Sequence, residues 1–94
     1  MITITTTLPS ADIKNYGDTL PQSEIDARVA YEQTCQLGTK ITTTSEGLVH
    51  TTTIDGISRV EFDAWCSAFD AEFPGDNTAY NENVGITITI VETL

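Results

Sequence analysis

KITTTSEGLVHTTTI, residues 40–54, lies at the middle of the chain and decides how the rest is read. The runs 39–44 and 48–54 are rich in β-branched residues, which fit the half-buried surface of a pleated strand. Between them Ser45, Glu46 and Gly47 make a short glycine-containing loop, the mark of a β-hairpin. Pairing the two runs sets the threonines at 42–44 beside those at 51–53, where hydroxyls can bond across strands.

On the C-terminal side, Asp55 and Gly56 make a turn, and Ser58-Arg59-Val60-Glu61 spells a capping box. In that motif the Ser and Glu side chains satisfy free backbone donors at the helix start. Phe62, Trp65, Cys66, Phe69 and Phe73 then recur at helical spacing, the strongest helix signal in the chain, until Pro74 and Gly75 stop it. Residues 76–84 read as a polar loop. On the N-terminal side, Pro21 can open a helix over 21–37, with Ile25, Val29, Ala30, Gln33 and Leu37 on one thin apolar face and Gly38 placed as its C-terminal cap. In residues 10–20, Ser10, Ala11 and Asp12 can start a short helical turn that Gly17 would end.

Both ends of the chain alternate with period two. Ile2, Ile4 and Leu8 oppose Thr3, Thr5 and Thr7, and Ile86, Ile88 and Ile90 oppose Thr87 and Thr89. Each is the pattern of a strand with one covered face. The order strand, helix, strand, strand, helix, strand predicts an α+β domain over residues 1–94. It is the ferredoxin-like βαββαβ plan, a four-stranded antiparallel sheet with two helices on one face and threonines on the other.

Fourteen acidic side chains face four basic ones, giving a formal charge of -10 at pH 7. Such a field attracts basic surfaces and repels phosphate backbones, so the expected partner is a cationic protein or nucleoprotein complex and direct nucleic-acid binding is excluded. No glycine-rich phosphate loop is present. Cys35 and Cys66 lack metal-ligand spacing and read as half-buried free thiols. No signal-peptide pattern follows Met1, and no run approaches the ~20 apolar residues of a membrane helix, so a soluble cytoplasmic protein is expected.

Catalysis finds little support. His50 is the sole histidine, and no sequence feature pairs it with a serine or cysteine nucleophile. Glu61/Asp63 and Asp70/Glu72 are two apart, and helical residues two apart do not face each other, so paired-carboxylate chemistry is not expected. Asp76, Thr78, Tyr80 and Glu82 alternate but lack the pattern of a calcium loop. The reading is a protein that is not an enzyme and holds no metal or cofactor.

What remains is the acidic distribution. Asp55, Glu61, Asp63, Asp70, Glu72, Asp76 and Glu82 lie within 28 residues whose one basic side chain is Arg59. Carboxylates about 5–11 Å apart along a helix can imitate the spacing of phosphates on a nucleic-acid strand. Glu61, Asp63, Asp70, Glu72, Asp76 and Glu82 are therefore the candidate partner-binding residues.

In size, charge and absence of catalytic motifs, the chain resembles the small acidic proteins that phages encode against host defences, the anti-CRISPR proteins and anti-restriction DNA mimics. That resemblance implies a non-enzymatic inhibitor acting in the host cell, which occupies a basic nucleic-acid channel or wedges between subunits. The alternative is a structural, assembly or accessory phage protein. It would self-associate, as a homodimer for instance, through its threonine-rich sheet face or a free strand edge.

Overall fold

The computed structural model describes residues 1–75 and 77–94. It is α+β, with a single open antiparallel sheet on which helices pack. The strands are β1 (Ile2–Thr7), β2 (Lys40–Glu46), β3 (Val49–Asp55) and β4 (Thr87–Glu92), in the spatial order β2-β3-β1-β4. The helices are α1 (Gln22–Thr34), α2 (Arg59–Glu72) and α3 (Asn77–Val84), with a 3₁₀ turn at Tyr16–Thr19.

The hairpin forms as its composition demands. β2 and β3 pair in the register Thr42↔Thr53, Thr43↔Thr52 and Thr44↔Thr51, and the Thr43 and Thr52 hydroxyls lie 3.4 Å apart. Strand residues reach further into the loop than the sequence indicated, leaving Gly47 and Leu48 as a two-residue turn. Gly47 has φ +61° and Leu48 has no positive φ, the combination a II′ turn needs to match strand twist.

α2 also follows the sequence. Ser58 is its N-cap: the Glu61 N–H donates to Ser58 Oγ at 3.2 Å, and the Ser58 N–H donates to Glu61 Oε1 at 3.3 Å. Phe62 is buried and joins Ile2, Ile54 and Ile57 in the core, with Ile4, Leu37, Cys66 and Ile90 packed around them. α1 lies on the same side. Tyr31 meets Phe69 and Phe73 edge-on at 5.7 and 5.5 Å, and the Trp65 indole N–H donates to the Cys35 carbonyl at 3.2 Å.

Several features correct the sequence reading. α1 ends at Thr34, not 37, with Cys35 as its C-cap. Gly38 serves the following loop, at φ +67°, where a Cβ would overlap the Asp55 carbonyl oxygen. The inward side of α1 carries Ile25, Arg28, Tyr31 and Cys35, because an aromatic ring and a guanidinium find partners on α2 that aliphatic counting does not foresee; Val29, Ala30 and Gln33 are exposed. The two-helix βαββαβ plan is not matched, because a third helix, α3, occupies most of the segment read as a loop. α3 is short and polar, and it is fixed from outside: Tyr80 packs on Tyr16 at 5.5 Å and its hydroxyl donates to the Lys14 carbonyl at 2.6 Å. In residues 10–20 the helical turn falls at Tyr16–Thr19 and includes Gly17.

Pairing fixes both faces of the sheet. Ile2, Ile4, Ile41, Ile54, Ile88 and Ile90 point towards the helices. The far face carries three rows in register: Thr42–Thr53–Thr3–Val91, Thr44–Thr51–Thr5–Thr89 and Glu46–Val49–Thr7–Thr87. Nine of those twelve positions are threonine, and Glu46 with the Lys40–Asp55 pair at the end of the face supply its charges, so the face is polar with little net charge.

Candidate acidic interaction surface

Charge divides between the layers. Eleven of the fourteen acidic residues fall in the segments 10–38 and 58–85, which carry the helices. Glu46, Asp55 and Glu92 are the three in strands. One layer is strongly negative, and the opposite face shows threonine.

Within α2 the acidic side chains are all exposed but not equivalent. Glu61 is engaged in the capping box, its Oε1 accepting from the Ser58 hydroxyl at 2.9 Å. Asp63 accepts from Arg59 Nε at 2.9 Å, an exposed i,i+4 ion pair. Asp70 and Glu72, together with Glu82 on α3, have no hydrogen bond or ion pair among the described residues. Asp76 lies outside the described residues.

Helical geometry sorts these carboxylates into two rows. At 3.6 residues per turn, Asp63 and Asp70 share one flank of α2, about 10 Å apart along the axis, and Glu61 and Glu72 share the other. Between the rows runs an exposed ridge of Val60, Ala64, Ser67, Ala68 and Ala71. The four carboxylates thus form no single row; the helix spreads them to both borders of its solvent-facing side. The cue lay in the sequence, since the helical spacing of Phe62, Phe69 and Phe73 sets the buried meridian and hence both flanks.

Several pKa shifts fall in this layer, those of Cys66 and Glu32 among them. Burial is the main cause raising the Cys66 thiol, with Asp70 and Asp63 adding to it and Arg59 opposing. Burial also pushes the Glu32 carboxyl above the usual carboxylate range. Glu32 sits where a cavity of about 360 Å³ under α1 approaches the sheet. Arg28 lines the same cavity, its guanidinium 5.1 Å from the Phe73 ring centre, and its Nε is buried without a hydrogen-bond partner among the described residues.

The hairpin holds one pairing that the sequence analysis missed. Ser45 and His50 are directly opposite, with Ser45 Oγ 2.8 Å from His50 Nδ1. Counting across a two-residue turn would have found it. The pair lies on the strands with Ser45 exposed, and no carboxylate among the described residues hydrogen-bonds to the ring, so the orienting third group of a triad is missing from the constellation. The two cysteines are free thiols. Among the described residues, no group of three or more His, Cys, Asp or Glu side chains could hold a metal ion, and no helix is long and apolar enough to cross a membrane.

Fold and surface together define a small α+β protein with an acidic helical layer backed by a neutral sheet face. No protein-family model, curated protein or solved structure matches the chain.

Proposed function

We propose that this protein is a non-enzymatic inhibitor that sets its acidic helical layer against a basic, nucleic-acid-binding surface of a host defence complex, in the manner of an anti-CRISPR or DNA-mimic protein in the host cytoplasm. The observation that carries the reading is the segregation of charge: eleven of fourteen acidic residues on the helix-bearing segments, with Asp70, Glu72 and Glu82 exposed and without a hydrogen bond or ion pair among the described residues. The two rows of α2 add geometry. They border a ridge on a helix about 10–12 Å across, close to the ~12 Å width of the DNA major groove between its phosphate rows. We also read the fold as a split βαβ arrangement elaborated by α3, a reading supported by β1 lying between β3 and β4.

The test uses Asp70→Lys with Glu72→Lys, because neither side chain supports the fold through a bond. Inhibition of DNA binding by an RNA-guided effector complex, or of cleavage by a restriction endonuclease, is expected for the parent chain and should weaken steeply with salt. The double variant should keep its circular dichroism and lose inhibition. Full inhibition by the folded variant would falsify the proposal.

A further inference from the structure

The two edges of the sheet are exposed differently, and one of them is self-complementary. The Thr93 N–H donates to the Met1 carbonyl at 2.8 Å, and the Leu8 N–H donates to the Leu48 carbonyl at 2.9 Å. Backbone direction alternates along a strand, so these two bonds set the direction of every group in the sheet. Odd-numbered residues of β1 bond to β4 and even-numbered ones to β3. By the registers, the backbone groups of Ile41, Thr43 and Ser45 then point away from the sheet along β2, and those of Ile88, Ile90 and Glu92 along β4.

The β4 edge is guarded. The Arg59 guanidinium reaches the Ile90 carbonyl at 3.5 Å, and the Arg59 backbone N–H donates to the Glu92 carboxylate at 2.9 Å. Among the described residues, nothing covers the β2 edge in this way. All seven of its residues are exposed, and Ile41 is 53% exposed. An exposed strand edge is a template for another strand.

We infer that β2 pairs with β2 of a second copy, antiparallel about a two-fold axis through Thr43, joining two sheets into one of eight strands. The inference is independent of the inhibitor reading. Three observations support a second copy as the occupant. The register that uses the whole strand sets Thr43 against Thr43 and Ile41 against Ser45, so every outward backbone group finds a partner. That register also places Lys40 opposite Glu46 of the other copy, twice by symmetry, joining the ends of opposite charge. Finally, a compact monomer of 10.2 kDa should expose about 5,300 Å². This chain exposes 6190 Å², a surplus in keeping with an unfilled interface.

Sedimentation equilibrium across a dilution series from millimolar to micromolar concentration tests this. The parent chain is expected at twice its 10.2 kDa mass at the concentrated end. Thr43→Pro removes an outward N–H that no strand of the same chain uses, so the fold is expected to persist and the dimer to disappear. Lys40→Glu should weaken association about tenfold or more, because two attractive pairs become two repulsive ones. Adding Glu46→Lys to it should restore the dimer, which a merely structural role for Lys40 would not produce. A parent chain that stays monomeric at every concentration sinks the inference, as does a dimer indifferent to Thr43→Pro or a charge swap without rescue.

Discussion

β2 and β4 end the same sheet and are similarly rich in Thr and Ile, yet one edge is covered and the other bare. The difference comes from a single residue outside both strands. Arg59 opens α2, and α2 crosses the sheet so that the arginine reaches the Ile90 carbonyl and its backbone N–H meets Glu92. Among the described residues, nothing comparable approaches the outward backbone groups of Ile41, Thr43 and Ser45. An edge strand is thus protected or sticky according to what packs beside it, and the strand's own residues leave that open.

The deepest way to break this contrast is to loosen α2. Phe62→Ala should cost about 3–5 kcal/mol, since Phe62 is the buried anchor of that helix. Denaturant unfolding measures the loss. Hydrogen exchange should show the Thr89 and Val91 amides, which bond to β1, losing more protection than the Thr42 and Thr44 amides, which bond to β3, and an equal change at both edges would remove the role given to α2.

Salt comes next, and it separates the two associations by sign. Two copies of charge -10 held ~20 Å apart repel by on the order of 20 kcal/mol in salt-free water. A Debye length of about 8 Å at physiological ionic strength cuts that roughly tenfold. The Lys40–Glu46 pairs contribute at most about 1 kcal/mol each. Raising salt from low values should therefore strengthen the β2 dimer while it weakens capture of a basic partner. The same direction of response in both titrations would contradict one of the two surfaces.

Smaller effects sharpen the contrast. Ser58→Ala should cost about 1 kcal/mol through loss of the N-cap, seen as a lower denaturation midpoint. Arg59→Ala removes an exposed ion pair of about 1 kcal/mol or less, but it also bares β4. Species larger than a dimer are expected on sedimentation, and a strict dimer would show that Arg59 is not the guard. Smallest is Glu32→Gln. Burial raises the Glu32 pKa in the folded chain, so folding binds a proton more readily there than the unfolded chain does. Stability from this group falls as pH rises from the ordinary carboxylate range through the raised value. The variant should melt slightly higher at neutral pH and show no gain in acid, where both forms are uncharged.

Much of this was legible in advance for physical reasons. The hairpin, the alternation of both terminal strands and the capping box at Ser58 and Glu61 depend on neighbours a few residues apart, and each formed where the sequence placed it. α3 was not legible, because its few apolar residues give no helical stripe. It is fixed by Tyr80 reaching Tyr16 and the Lys14 carbonyl, 66 residues away for the latter. The inward face of α1 was misread for the same reason, since Arg28 and Tyr31 turn inward only because Phe69 and Phe73 are there. Among the candidate contact residues, exposure was legible and engagement was not: Glu61 and Asp63 are held by near neighbours, and Asp70, Glu72 and Glu82 are free of bonds.

By itself the sequence determined what local chemistry can enforce: the net charge, the period of each strand, the start of α2 and the threonine composition of one sheet face. Tertiary structure alone decided which strands stand at the edges, which edge Arg59 reaches, and how the carboxylates of α2 divide about its buried side. Those outcomes depend on packing between residues far apart in the chain, where contact is set by how layers meet and not by spacing along the sequence.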